Sequence, residues 1–417
     1  MGRPRKTNAS SIEWIHSTRL HAVLYSFLLV FTPFILLQNY LVDIVASIST
    51  SRMSLGGWNL PIVPVVAAVA LLAIVIWQRK RITRRVLLAA AIILLMNALS
   101  QQMSDYYFGQ NFYDLLQNWH YLAYALFGPM VYRDLDPRGV RFSRILWIIF
   151  FCALGLSTFD ESFQRYMSSR VFDLSDTAKD VWGCLMGLVA IALCSRHARE
   201  LRLDLKSLVR MPRLQTLDHP LVALVLMACF TLIFLSCASL MSDAQYAPLV
   251  ALFSIGLSAL ALGLYLLLLR KPGRIAIGAL ALIAVCALGY SALHYRGQEI
   301  VSHRNGLTVY RGMPLLFFDA LIFPDGHFRL VDRKHSFTSR DQKRLLRQKS
   351  DIIVVGTGRK GLGGQGFPEP SMVQFLHNPY SGGVTQVIIQ RTADACLTFN
   401  RLKKEGKRVA FVIHNTC

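Results

Sequence analysis

Nine times along this chain, a long run of residues passes with almost no charge. These runs lie at roughly 20–38, 58–77, 86–100, 115–132, 145–159, 177–195, 219–240, 248–269 and 275–293. A helix needs about 20 apolar residues to cross a bilayer, so repeated runs of this length predict membrane spans. Composition agrees: 53% of the residues are hydrophobic, 17% are charged, and the mean hydropathy is +0.41, too apolar a balance for one water-soluble core. The fold class read from the sequence is a polytopic α-helical membrane bundle of about nine spans with a C-terminal soluble α/β domain. The division is an N-terminal tail with two spans (1–85), a central region (86–195), three further spans (196–293) and a soluble domain (294–417).

The net charge of +21 raises nucleic-acid binding, but the placement of the charge excludes it. Twenty-two basic residues fall in the tail and in alternate short loops, the densest being Arg79, Lys80, Arg81, Arg84 and Arg85. The intervening loops hold only Arg52, Arg165, Arg170 and Lys179. Such asymmetry places the N-terminus in the cytoplasm of a multi-pass cell-membrane protein, and nine spans then put the C-terminal domain outside. Arg3, Arg5 and Lys6 precede the first run with no small-residue cleavage site, so that run reads as a retained anchor. Six of the eight cysteines lie in or beside apolar runs, and none forms a Cys-x-x-Cys pair. No metal site or cofactor is expected from them. Cys396 and Cys417 lie in the soluble domain, their pairing open.

Polar chemistry concentrates between the fifth and sixth runs. Glu161 and Gln164 are three apart and share a helix face. Asp173, Asp176, Asp180, Gly183 and Gly187 form one stripe entering the sixth run. Acids suit a helix start, and the glycines allow a neighbouring helix to approach closely. Ionisable groups at membrane depth are costly and often functional. His120 in the fourth run is a further candidate, though a histidine in a span is more often a packed core residue. The order Glu161-x-x-Gln164, Arg170, Asp176, Asp180, Gly183, Gly187, preceded by His120 and Gly128, resembles the signature of the VanZ-like membrane family over about residues 86–195. Asp180 stands where that family commonly has Asn, and Ser168-Ser169 where it has Pro-Gly. The resemblance implies a cell-envelope setting, the family being named for a glycopeptide resistance protein, without an established activity.

Beyond residue 303 the pattern changes to short strands and turns, with Pro324-Asp-Gly326 marking a hairpin. Strands are predicted at 351–355, 386–389 and 408–414, and helices at 338–348 and 393–405, the latter stopped by Gly406. This alternation predicts a two- or three-layer α/β domain. Gly356-Thr-Gly358 with Arg359 after the first of these strands is a weak candidate anion cradle. The motifs Ile353-Val-Val-Gly-Thr-Gly358, Thr392-Ala-Asp-Ala-Cys-Leu-Thr-Phe-Asn400 and Glu405-Gly-Lys-Arg-Val409 resemble the small Mth-type domain shared with a mitochondrial complex I assembly factor. Gln390-Arg391-Thr392 replaces that family's Met-Asp-Thr. The resemblance implies binding or assembly rather than catalysis.

Two functions follow as expectations. The first is a non-enzymatic envelope binding or scaffold protein. Its expected partners are membrane lipid, a lipid-linked envelope precursor and a protein bound through the C-terminal domain, with no nucleic acid. The second is an enzyme acting on a lipid-linked phosphate or saccharide at the outer leaflet, with Glu161 and Asp176 as base or metal ligands, Arg170 holding phosphate and His120 moving protons. A transporter ranks last, since no broken-helix repeat is visible.

Overall fold

A computed structural model describes residues 23–29, 44–45, 47–49, 51–56, 58–80, 82–104, 115–164, 173–201, 218–241, 247–268, 271–295, 297–304, 306–316, 318–331, 337, 342, 345–347, 349–361, 363–364 and 373–415. The chain divides into two compact units, residues 1–101 with 111–235 and residues 102–110 with 236–417.

The helices follow the apolar runs with informative differences. The run at 58–77 begins as a strand: β1 (Arg52–Leu55) pairs antiparallel with β2 (Trp58–Pro61) before α1 (Ile62–Gln78) starts. Pro61 fixes an extended backbone and serves as the N-cap, which shortens α1 to 17 residues. Next come α2 (Arg84–Ser104), α3 (Leu115–Leu135), α4 (Phe142–Gln164), α5 (Leu174–Cys194), α6 (Pro220–Leu240), α7 (Ala247–Leu268) and α8 (Lys271–His294). Nine spans are expected; six described helices, α2 and α4 to α8, are both long and apolar enough to cross a membrane. The α1 helix is short, and α3 carries Gln117, Asn118 and His120 near its start and Arg133 and Asp134 near its end. Residues 23–29 of the first run are helical, and the rest of that run lies outside the described residues.

In the first unit α5 is the central element. Ala178, Val181, Cys184, Leu185 and Leu188 are fully buried. The glycine stripe explains how α3 comes so near. A Cβ on Gly183 would lie 2.5 Å from the Tyr121 carbonyl oxygen, and one on Gly187 would lie 2.4 Å from that of Ala125. Gly183 and Gly187 are one turn apart, as are Tyr121 and Ala125, so two helix backbones meet along matched turns. The acids leading into the stripe behave as a helix start should: Asp173 caps α5, its Oδ1 accepting the Ser175 N–H at 2.8 Å.

In the second unit the sheets supply the order. Strands β3 (Ile300–Arg304), β4 (Leu307–Tyr310) and β5 (Met313–Leu316) form an antiparallel meander. A six-stranded sheet then runs β7-β6-β11-β8-β10-β9, using β6 (Asp319–Ile322), β7 (Phe328–Val331), β8 (Ile352–Gly356), β9 (Val373–Asn378), β10 (Gly383–Gln390) and β11 (Val409–Ile413). The predicted hairpin at 324–326 joins β6 to β7, with Gly326 at φ +90°. Central β8 is parallel to both β10 and β11 and buried along its whole length, as its unbroken Ile-Ile-Val-Val run requires. Alternation splits the core between the two faces. Ile352 and Val354 pack with Phe399 and Leu402 of α9 (Thr392–Lys404) and with Tyr310 and Leu315 of the meander. Ile353 and Val355 pack with Phe337, Leu345 and Leu346. Of the predicted helix at 338–348, residues 342 and 345–346 are helical and 347 is a turn; the remainder lies outside the described residues. The α9 helix stops as predicted, Gly406 at φ +75° donating to Lys403 O while Lys407 N–H donates to Leu402 O.

Substituting Gly183→Ala should force α3 and α5 apart and cost about 1–3 kcal/mol, typical of overpacking. Thermal unfolding of the full chain in detergent checks this: a lower midpoint is expected, and an unchanged one removes the close-contact explanation.

Candidate functional site

One carboxylate joins three helices. Asp180, on α5 and one turn before Gly183 closes the gap to α3, is almost completely buried. Its Oδ1 meets His120 Nδ1 of α3 at 2.9 Å, and its Oδ2 accepts the Ser157 hydroxyl of α4 at 2.7 Å. An ionised carboxylate only accepts, so in that state Nδ1 carries the imidazole proton. The other ring nitrogen, Nε2, lies 3.7 Å from Asp176 Oδ2, one turn earlier on α5. Asp176 Oδ1 also takes the Lys179 ammonium at 2.7 Å. Glu161, 1% exposed on α4, accepts the Asp173 N–H through Oε2 at 3.2 Å, tying the end of α4 to the cap of α5.

The sequence candidates therefore converge only in part. His120, Asp176 and Asp180 form one connected group, and Glu161 reaches α5 through its cap. Gln164 is the last residue of α4, and Arg170 lies outside the described residues. Two members were missed. Ser157 is four residues before Glu161, the spacing of a shared helix face, and that periodicity was the available signal. Lys179, expected as a loop cation, stands inside α5 and is buried, its ammonium held by Asp176 one turn earlier on the same helix. Among the described residues, no group of three or more His, Cys, Asp or Glu is arranged to hold a metal ion.

The glycine turn of the second unit is occupied from within. Thr357 N–H donates to Gln390 O at 2.9 Å, and Gly358 N–H to Thr392 Oγ1 at 2.8 Å. Two amides that an anion cradle would need are thus engaged inside the fold. A Cβ on Gly356 would lie 2.8 Å from the same Thr392 oxygen, so this glycine serves close packing. Arg359 is exposed at the turn. The Thr392 hydroxyl also donates to His414 O at 2.5 Å, so one side chain clamps the ends of β8 and β11 to the start of α9. Below it, a second buried polar group escaped the sequence reading. His414 Nδ1 pairs with Asp319, whose Oδ1 accepts the Asn415 N–H at 2.8 Å. Asn415 accepts in turn from the Thr308 hydroxyl at 2.5 Å. These residues come from opposite ends of the domain in sequence, so no local spacing reveals them. Burial pushes the Cys396 thiol up to about 12, which keeps it from acting as a nucleophile.

Residues 302–414 match the family described as "Protein of unknown function (DUF498/DUF598)". The C-terminal domain is thus the part of the chain that is similar to this family. The match covers none of helices α1 to α8. No curated protein matches the chain. A solved structure titled "MT938" is 23% identical, over 29% of this chain and 100% of that one, with a TM-score of 0.23.

Asp180→Ala leaves the Ser157 hydroxyl and the His120 ring without their shared acceptor and should cost about 1–3 kcal/mol. Thr392→Val should cost the second unit a similar amount, while Thr392→Ser retains the clamp. Chemical unfolding of the full chain followed by two probes, one per unit, checks both.

Proposed function

We propose that this protein is a VanZ-like integral membrane protein of the cell envelope that binds a polar lipid or lipid-linked precursor, with its C-terminal domain contacting a partner or lipid. The observation that carries this reading is the group His120, Ser157, Asp176, Lys179 and Asp180, held between α3 and two helices, α4 and α5, that are long and apolar enough to cross a membrane. Burying so many ionisable groups in a membrane bundle is costly, and such clusters are kept where they meet a ligand. The basic loops support a cytoplasmic N-terminus, and the nine apolar runs of the sequence, if all of them span, would put the C-terminal domain outside. A second reading, an enzyme acting on a lipid-linked phosphate or saccharide, is favoured by one feature: His120 stands between two carboxylates, an arrangement suited to proton transfer.

Mass spectrometry of lipids co-purified with the full chain tests the binding reading, with Glu161→Gln and Arg170→Ala beside the wild type. A glycolipid or polyprenyl phosphate retained by the wild type and lost by both variants is expected. Identical bulk phospholipids in all three would defeat it. Turnover of the retained lipid, lost in Glu161→Gln, would promote the enzymatic reading.

A further inference from the structure

Away from the polar group, a surface-open cavity of about 500 Å³ lies between the start of α2 and the end of α5, with both of its arginines exposed. Thr83, Arg84, Arg85, Val86, Leu193 and Cys194 line it. The two helices run antiparallel and are pinned further along by the Trp182 indole, which donates to Met96 O at 3.1 Å. We propose that this cavity binds a phosphate group, and that an anionic phospholipid of the cytoplasmic leaflet supplies it. The inference rests on the membrane-spanning reading given above.

Three observations favour a phosphate. First, the cations of the cavity have no carboxylate partner among the described residues. On the same predicted face of the bundle, Arg138 pairs with Asp134, and Arg196 with Asp136 at 2.9 Å. Among the described residues, no carboxylate lies within ion-pair distance of Arg84 or Arg85. Two adjacent guanidinium groups can chelate phosphate oxygens in the paired geometry that arginine favours. Second, α2 begins here. Thr83 Oγ1 accepts the Val86 N–H at 3.4 Å, and the Arg84 and Arg85 amides remain at the electropositive end of the helix. Third, the lining is divided: Thr83 and the arginines form a polar side, while Val86, Leu193 and Cys194 form an apolar one.

That division selects the lipid as the source. A free phosphate needs no apolar wall, whereas a phospholipid presents phosphate and the start of its acyl chains together. The cavity lies where two apolar helices end, in the loop with the densest basic run of the chain. On the reading above this is the cytoplasmic side, where anionic lipids attract basic residues and where basic clefts between spans hold headgroups.

The test uses the full chain reconstituted in vesicles of phosphatidylcholine with phosphatidylglycerol, then extracted in mild detergent, with the ratio of the two lipids retained read by mass spectrometry. The wild type should be enriched in phosphatidylglycerol. Arg84→Gln with Arg85→Gln should lose roughly tenfold of that enrichment. Arg79→Gln with Lys80→Gln removes the same charge outside the cavity and should keep most of it. Equal losses in the two double variants would show diffuse surface attraction and overturn the site, as would no loss in either. A second arm adds inorganic phosphate to the wild type in a neutral detergent. Thermal stabilisation by phosphate equal to that by phosphatidylglycerol would assign the cavity to the free ion and overturn the lipid as ligand. Release of the protein from membranes by alkaline carbonate would instead sink the membrane reading itself, independently of lipid selectivity.

Discussion

Asp180 is the point on which the first unit turns. Its two oxygens take one partner from each neighbouring helix, so a single buried carboxylate sets the depth of α3 and α4 against α5. That arrangement needs α3 near enough for His120 to reach, which Gly183 and Gly187 make possible by admitting the backbones of Tyr121 and Ala125. Close packing and polar bonding therefore depend on each other. A larger residue at either glycine separates the partners, and a lost carboxylate leaves two polar groups facing an apolar bundle.

Much of this was legible in order and spacing. The stripe Asp173, Asp176, Asp180, Gly183 and Gly187 foretold an acid-capped helix that a neighbour could approach closely, and Asp173 is that cap. His120 pointed to the fourth run as a neighbour of the stripe, but the residues that meet the glycines were not legible, because Tyr121 and Ala125 carry no mark beyond their i, i+4 spacing. Lys179 looks like a loop cation for a physical reason: charge counted along the sequence does not see that Asp176, one turn earlier, neutralises the ammonium and lets it enter the helix. The run at 58–77 was read as helix from its start because hydropathy does not see that Pro61 holds the backbone extended.

In the C-terminal domain, β8, β10, β11 and α9 follow from unbroken apolar strands and a glycine stop, while β9 does not. Phe375 at the sheet edge is mostly exposed, so β9 lacks the buried-strand pattern on which the sequence reading relied. The Gly356-Thr-Gly358 turn shows how one motif supports two meanings. Glycines after a strand suit an anion cradle, yet here the space they leave is filled by the Thr392 side chain. The Thr392 motif and the glycine turn are halves of one clamp, and the Asp319–His414–Asn415 group beneath it depends on contacts far apart in sequence.

The most direct test of this account is a double-mutant cycle between His120→Gln and Asp180→Asn, read as unfolding free energy of the full chain in detergent. A shared buried contact predicts a coupling energy of about 0.5–3 kcal/mol, the single changes together costing more than the pair. Additive effects, with coupling near zero, would mean that Asp180 does not bind α3 to α5 and would contradict the account.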